Sequence, residues 1–410
     1  MSELDPTQKR NAKRMIAAMT CTKLGDVMIN PKTVLTWLLT QMGVSGGVIA
    51  LLVPVREAGS MLPQIFISAW VKRFRLRKRV FAGGALAQAM AVAMMGGVAL
   101  LLSATAAGVM MLVAVAWFAT ARAFCSISSK DVLGRVIPKG ARGKVGGVSA
   151  TISGVISTVA ALALIAIKDE AAARLLAWGV LGASLFWVIG AALYGRIDEP
   201  AEEPSEEPMS RDIRDRLQLL KDDALFRRFI ITRFFLLGSA LASPLLVVLA
   251  GKTGGTMVSL GGFVIASGIA SASSSFLWGK LSDKASHLAM SLGGFGAALI
   301  GVFAFGIGWI SPDWAAHPLA WPVLFLLFNL GYAGVRLGRK TWVVDAVKGD
   351  RRTDYVSASN TVIAVAILVL GGIASQVQAM SPLIPLAGYS VMCAIGAAVA
   401  LTLDVGEEAD

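Results

Sequence analysis

Continuous apolar runs of about twenty residues recur along the whole chain, and no other feature limits its fold so sharply. A helix that crosses a bilayer needs about 17–25 predominantly apolar residues. Such runs lie near 15–39, 46–71, 80–102, 108–128, 145–167 and 172–195, then after a polar gap near 229–250, 256–278, 288–310, 319–337, 356–378 and 382–403. The spacing predicts twelve membrane-spanning helices in two sets of six. The runs are continuous rather than ten-residue stretches of alternating polarity, which excludes a β-barrel. Hydrophobic residues make up 56% of the 410 and charged ones only 16%. Soluble domains carry about 45–50% and about 25%, so a water-soluble enzyme is excluded. Met1 to Arg14 is basic and polar with no cleavable-looking site, and the first span carries charges a signal peptide would not tolerate; the segment is expected to be retained.

The charges sort by position. Lysine and arginine exceed aspartate and glutamate by 38 to 26, a formal +12. In a soluble chain that surplus would suggest nucleic acid. Here Lys72, Arg73, Arg75, Arg77, Lys78 and Arg79 fall between spans 2 and 3. Lys130, Arg135, Lys139, Arg142 and Lys144 fall between spans 4 and 5, and Arg339, Lys340, Lys348, Arg351 and Arg352 between spans 10 and 11. Only Lys168, Arg174 and Lys252 lie on the other side. The positive-inside bias puts both termini and every even-to-odd connection in the cytoplasm. Much of the surplus is thus a topology signal, and no nucleic-acid partner is expected.

The one long hydrophilic stretch, 196–228, divides the chain into an N-terminal bundle (1–195) and a C-terminal bundle (229–410). It opens with six carboxylates and three prolines between Asp198 and Pro208. That composition predicts a solvated, disordered tether. The following SRDIRDRLQLLKDD, with Ile213, Leu217 and Leu220 at helical spacing, is expected to lie along the membrane surface.

Several chemistries have no residues to carry them. Cys21, Cys125 and Cys393 sit singly in apolar runs without CxxC spacing, and His287 and His317 lie apart. No disulfide framework, metal centre, catalytic constellation or cofactor is expected. A G-x4-G-K-(S/T) loop is missing, which removes an ATP-driven pump in one chain.

The two sets of six carry traces of duplication. Gly83-Gly84 recurs as Gly293-Gly294, Lys130 as Lys340, Arg142 as Arg352, and Thr22-Lys23 as Thr232-Arg233, each pair 210 residues apart. Internal repeats of this kind are a hallmark of secondary transporter folds.

With twelve spans, two halves and a long middle loop, the whole chain resembles the major facilitator superfamily of secondary transporters. The superfamily's motif G-x-x-x-D-(R/K)-x-G-(R/K)-(R/K) has a partial copy after span 8, with Gly279, Asp283 and Lys284 in place and Ala285-Ser286 where its glycine would follow. After span 2, WVKRFRLRKRV keeps only the basic tail Arg77-Lys78-Arg79 and lacks both glycine and aspartate. LGRVIPKGARGKVGG before span 5 is also similar to the superfamily. Span 5 carries SATISGVISTVAA instead of the glycine-proline motif of drug exporters. KLGDVMINPKTVLTWLL and LLVPVREAGSMLPQ resemble a group of bacterial permeases. The resemblance implies an all-α membrane protein of two pseudo-symmetric six-helix bundles in the bacterial inner (cytoplasmic) membrane, acting as a monomer by alternating access, with Gly279, Asp283 and Lys284 in a gating motif.

Charges inside the spans point to the pathway. One at mid-bilayer costs roughly 2.5–3.5 kcal/mol on an insertion scale, so those that persist should face a cavity or a partner. In span 1, Lys23, Asp26, Asn30, Thr33 and Trp37 fall on one face at 100° per residue. Lys23 and Asp26, three apart, are placed to pair. Lys32 points the other way, and Pro31 is a candidate kink. Span 2 repeats the pattern with Arg56, Glu57, Ser60, Gln64 and Ser68. A purely structural lock, Lys23–Asp26 plus Arg56–Glu57, is the alternative to a transport pathway. Arg122 in span 4 and Arg336 in span 10 are further candidates, their alternative being to snorkel to the headgroups. The same two readings stay open for Arg233 in span 7, and Asn360 in span 11 is a plausible polar contact.

The main cavity candidates Lys23, Arg56, Arg122 and Arg336 outnumber Asp26 and Glu57 by two. That balance favours an anionic small-molecule solute, organic or phosphate-like, since guanidinium matches both groups. Mid-membrane carboxylates suggest a proton as the coupling ion. The expected activity is secondary transport of such an anion, with proton-coupled export of multidrug or amphipathic compounds as the alternative.

Overall fold

A computed structural model of the chain describes residues 5–165, 172–203, 222–254, 256–310, 312–346 and 351–403. Among them all regular structure is helical and, apart from the short helix Pro312–Ala316, it groups into twelve successive stretches. Span 1 is Pro6–Met28 with Val34–Gln41, and span 2 is Gly46–Ala50, Leu52–Met61 and Gln64–Val71. Spans 3 to 6 are Arg77–Leu101, Ala104–Val136, Lys139–Ile165 and Ala172–Gly195. Span 7 is Ala224–Leu236, Gly238–Leu241 and Ser243–Lys252, and span 8 is Met257–Lys284. Spans 9 to 12 are Ser286–Ile310, Ala320–Ala346, Arg351–Met380 and Leu383–Ala400. By length and composition nine helices among the described residues suit a membrane crossing, in spans 3, 4, 6 and 7–12.

The broken spans have local causes. Span 1 starts on a capping box in which Asp5 accepts from Gln8 N, with Pro6 as the first helical residue. It stops at Met28 because Pro31 has no N–H to give and disfavours helical backbone at Asn30 before it. Pro63 interrupts span 2 in the same way. Span 7 breaks around Leu237 and Ala242, and the span 1 break at Ile29–Thr33, carried forward by 210 residues, falls on 239–243. Only the Ala242 break falls in that window, and it is milder than the one in span 1: Leu237 and Ala242 keep helical backbone angles, and Ala242 N still donates to the Gly238 carbonyl at 2.9 Å. The break in span 1 corrects the polar stripe expected along that span. Thr33 and Trp37 lie beyond the break, where the register of Lys23 and Asp26 no longer holds, and both are buried.

A second difference concerns the basic connections. Span 4 stays helical to Val136 and span 5 begins at Lys139, so much of the expected 4–5 loop is helix. Leu, Lys and Arg are good helix formers, and Pro138 sets the turn between the two.

Outward faces carry large apolar side chains, such as Phe276 (86% exposed) and Leu299 (69%). That exterior suits hydrocarbon, where helices meet their own backbone hydrogen bonds.

Packing divides the described residues into two compact units. One holds 5–30, 55–160 and 172–203; the other holds 31–54, 161–165 and everything from 222 onward. In the first, span 6 packs against spans 1 and 3, and span 4 against spans 2 and 3. A core around Met15, Phe81, Val132, Val145 and Tyr194 joins spans 1 and 3–6. In the second, span 10 packs against spans 8 and 9, and span 12 against spans 7 and 9. Its core includes Phe229, Met290, Trp342 and Tyr355, with the Phe229 and Trp342 rings stacked at 4.2 Å. The segment 31–54, although early in sequence, packs within this second unit, Val34–Gln41 on Ser243–Lys252 and Gly46–Ala50 on Arg351–Met380.

Candidate functional site

The charged centre of the first unit gathers on Asp26, in the last turn of the Pro6–Met28 helix. Arg122 of span 4 approaches with Nη1, donating to Oδ1 at 2.5 Å and Oδ2 at 2.6 Å. Arg56 of span 2 brings Nη2 to 3.5 Å from Oδ1. One carboxylate therefore carries two guanidinium groups. The arrangement is not a two-nitrogen fork, because a single Arg122 nitrogen serves both oxygens, and Arg122 Nε and Nη2 donate to no other described residue. Glu57 lies within Coulombic reach of both arginines but forms no ion pair with a described residue.

These pairings differ from those expected. Lys23 sends Nζ to the Gly146 carbonyl of span 5 at 3.4 Å, and no ion pair joins it to Asp26 among the described residues. Arg56 and Glu57 do not pair either, since successive helical residues diverge by about 100° and cannot face one another.

Packed aromatics hold the centre in place. The Arg56 guanidinium lies over the Phe118 ring, 4.5 Å from its centroid, a cation–π contact. Phe118 meets Trp187 of span 6 edge to face at 5.2 Å and 87°, and both rings are fully buried. Trp187 in turn packs against Gly25, where a Cβ would overlap the indole. The missing side chain lets span 1 approach span 6 closely and fixes the height of Asp26. Below Arg122, buried Gln88 of span 3 donates to Cys125 Sγ at 3.0 Å. Sequence reasoning overlooked Phe118, Trp187 and Gln88. A signal existed for two of them: Phe118 stands one helical turn before Arg122, and Gln88 is a lone amide in an apolar span.

In the second unit, Arg233 and Asn360 come together. Arg233 is buried, with Nη1 on Ser359 Oγ, Nη2 3.2 Å from Asn360 Oδ1, and its guanidinium 5.8 Å above the Phe229 ring. Nε has no hydrogen-bond partner among the described residues. Arg233 thus points inward between spans 7 and 11 instead of snorkelling. No carboxylate among the described residues pairs with it. Arg336 is half-buried in span 10 without an ion pair among the described residues. One turn earlier, Tyr332 carries Lys32 over its ring at 4.1 Å. Asn30 closes the end of the first helix, its N–H donating to the Val27 carbonyl at 3.4 Å. Gln64 donates to the Ser60 carbonyl at 2.8 Å, bridging the Pro63 break. Gly279 is half-buried near the end of span 8, where Asp283 and Lys284 are exposed.

The acidic stretch after span 6 departs most from expectation. Instead of a free tether, Asp198 to Glu202 lies docked on the basic ends of spans 1, 3 and 4. Asp198 accepts from Arg10 Nη2 at 2.8 Å and Arg14 Nη1 at 3.1 Å, and its backbone bonds both ways with the Asn11 amide. Glu199, its side chain fully buried, takes the N–H groups of Arg77 at 3.1 Å and Lys78 at 2.8 Å. Those are orphan donors at the start of the Arg77–Leu101 helix. Arg135 adds Nη1 at 3.2 Å. Glu202 pairs with Arg77 and Arg135, and Arg77 also meets Asp131 at 2.9 Å. Glu199 supplies a carboxylate at the amino end of span 3, beside the connection whose own motif has lost its aspartate. Composition misleads here because it omits the partners: five arginines and lysines from distant segments neutralise the strap. The hydrogen bond from Arg10 holds the Asp198 carboxyl below the ordinary carboxylate range. The rest of the acidic run and the expected surface helix over 210–223 lie almost wholly outside the described residues.

No group of three or more histidine, cysteine, aspartate or glutamate residues among the described residues is placed to hold a metal ion. What the first unit offers is a polar, positively weighted centre inside an apolar bundle.

The Major Facilitator Superfamily model matches residues 15–371. Among curated proteins no sequence match is found. A POT family transporter crystallised with a thioalcohol-conjugated peptide superposes with a TM-score of 0.70 at 12% identity, over 96% of each chain. A D-xylose–proton symporter gives 0.69 at 13% identity, over 97% of this chain and 99% of the other. A nucleoside transporter gives 0.68 at 11%, over 97% and 98%. At such identities these likenesses establish the fold.

Proposed function

This chain belongs to the Major Facilitator Superfamily, a multi-pass membrane family of small-molecule transporters, and from that premise we propose that it is a proton-coupled secondary transporter of a small organic or phosphate-like anion. The observation that carries the proposal is the Asp26 centre, where two guanidinium groups share one carboxylate and Arg122 keeps donors to spare. Arginine binds carboxylate and phosphate through parallel N–H donors. In this reading Asp26 occupies the place of the solute's anionic group. A proton on Asp26 cancels its charge, releases Arg122 and Arg56, and makes anion binding favourable in the same state. Proton and solute then bind together, which is the requirement for symport. Lys23 adds positive potential one turn away, and Glu57 is the second carboxylate able to take the proton. Arg233, Arg336 and Asn360 are proposed to serve the pathway from the C-terminal half, with the Gly279, Asp283 and Lys284 segment as its gate. The basic connections are proposed to face the cytoplasm, which puts both termini there.

Uptake into proteoliposomes under an imposed pH gradient tests the coupling. The double variant Asp26→Asn/Glu57→Gln is expected to abolish gradient-driven accumulation; intact accumulation in it overturns the coupling. A thermal-shift panel in detergent tests the solute class. Stabilisation by carboxylates or phosphates supports an anion. Stabilisation only by lipophilic cations would point to the multidrug antiporter reading instead.

A further inference from the structure

On the outside of the first unit, away from the Asp26 centre, spans 2, 3 and 4 enclose a groove of about 500 Å3. Its volume falls within the roughly 300–1,000 Å3 of small-ligand sites. Four aromatic rings wall it, those of Trp70, Phe74, Trp117 and Phe124. Trp70 is 44% exposed and Trp117 41%, so the groove opens on the face that the apolar exterior turns to lipid. Its floor runs along span 3 at Gly83, where an added Cβ would meet nothing within 4 Å. Among the described residues lining it the one charged side chain is Arg79, in the first turn of the Arg77–Leu101 helix, where the helix dipole adds positive potential.

The occupant follows from that chemistry. A polar solute would forfeit its hydrogen bonds against such walls, whereas an acyl chain would gain from apolar burial. The headgroup is set by Arg79. Its neighbours Arg77 and Lys78 are engaged by Glu199, Glu202 and the Ile197 carbonyl, while Arg79 enters no ion pair among the described residues. Arg79 is exposed, and no carboxylate among the described residues lines the groove to neutralise it. We propose that this groove is a binding site for an anionic phospholipid, with one acyl chain between the aromatic rings and the phosphate at Arg79. The site is separate from the solute pathway and stands whether or not the transported solute is an anion.

Trp70 and Trp117 provide a local reporter. The full-length protein in detergent is titrated with phosphatidylglycerol brominated on its acyl chains, which quenches tryptophans in contact with the chain. Part of the quenching is expected to vanish in the Trp70→Phe/Trp117→Phe variant, and that part reports the groove. For it, phosphatidylglycerol should bind more tightly than phosphatidylcholine. Arg79→Gln should weaken phosphatidylglycerol by about five-fold, the worth of one basic residue near a lipid phosphate, and leave phosphatidylcholine unchanged. Gly83→Leu, which fills open space, should remove groove quenching by both lipids while keeping the melting temperature in lipid-free detergent. Glycerol 3-phosphate, the headgroup chemistry without a chain, should not compete. Equal binding of the two lipids, unaltered quenching in Gly83→Leu, or full competition by glycerol 3-phosphate would each overturn the proposal.

Discussion

Arg122 holds Asp26 end-on, one nitrogen 2.5 and 2.6 Å from the two carboxylate oxygens, across 96 positions of sequence from span 1 to span 4. The pair is partly screened, with the Arg122 side chain 38% exposed and that of Asp26 24%. Removing Asp26 leaves Arg122, and the more buried Arg56 at 14% exposed, without an ion-paired counter-ion among the described residues. Asp26→Asn is therefore expected to cost on the order of 1–3 kcal/mol, seen as a lower melting temperature in detergent. Asp26→Asn/Arg122→Gln removes both charges, and its cost should fall short of the two single costs combined by about 0.5–3 kcal/mol. Strict additivity of the two variants would mean that the residues do not pair.

The acidic strap allows a comparison of buried and exposed carboxylates in one cluster. The Glu199 side chain is fully buried and satisfies two helix-start N–H groups as well as Arg135. Glu202 pairs with Arg77 and Arg135, but its side chain is 56% exposed. Glu199→Gln is expected to destabilise by about 1–3 kcal/mol, and Glu202→Gln by under about 1 kcal/mol, as for surface pairs. Thermal melts of the two variants check the order. A larger loss at Glu202 would show that exposure does not govern this cluster.

What could be read in advance follows a physical division. Spans and mid-span charges stand out in sequence because hydrocarbon penalises every polar group at a known scale, so the Lys23, Asp26, Arg56, Glu57 and Arg122 positions were legible. Their pairing was not. Helical spacing suggests Lys23 with Asp26, but it says nothing of a guanidinium arriving from span 4, and the tertiary partner prevails. The strap was illegible for the same reason. Asp198 to Glu202 resembles a disordered tether until Arg10, Arg14, Arg77 and Arg135 are brought alongside. The interruption of span 1 was foreshadowed by Pro31, and the break at Ala242 in span 7 by Pro244, which sits in the first turn of the Ser243–Lys252 helix.

The Asp198 latch should leave a signature in acid. Its carboxyl is held below the usual 3.8 by the hydrogen bond from Arg10 and the nearby charges of Arg14 and Lys78. The unfolded chain therefore binds the proton first as pH falls. Linkage makes the contribution complete above the ordinary carboxylate value and lost as pH drops through the lower, folded one. The gap in melting temperature between the wild type and Asp198→Asn is expected to be constant from pH 7 to about pH 5 and to close below about pH 4. A gap that closes between pH 7 and pH 5 would contradict the latch.

Gly25 sets two known effects against each other. Alanine is favoured over glycine inside a helix by about 0.8–1.0 kcal/mol, so Gly25→Ala should stabilise span 1 if nothing lies beside it. Its Cβ would, however, overlap the indole of Trp187, and Trp187 is fully buried against Phe118 with little room to yield. Overpacking of that kind costs typically about 1–3 kcal/mol, which exceeds the helix gain over most of its range. Gly25→Ala is thus expected to lower the melting temperature and, by pushing span 1 outward, to loosen Asp26 from Arg122. Trimming the obstacle should reverse the sign: in a Trp187→Leu background the alanine is expected to be neutral or stabilising. Thermal melts of the four proteins decide it, and a stabilised Gly25→Ala single variant would show that spans 1 and 6 do not approach as closely as the Asp26 centre requires.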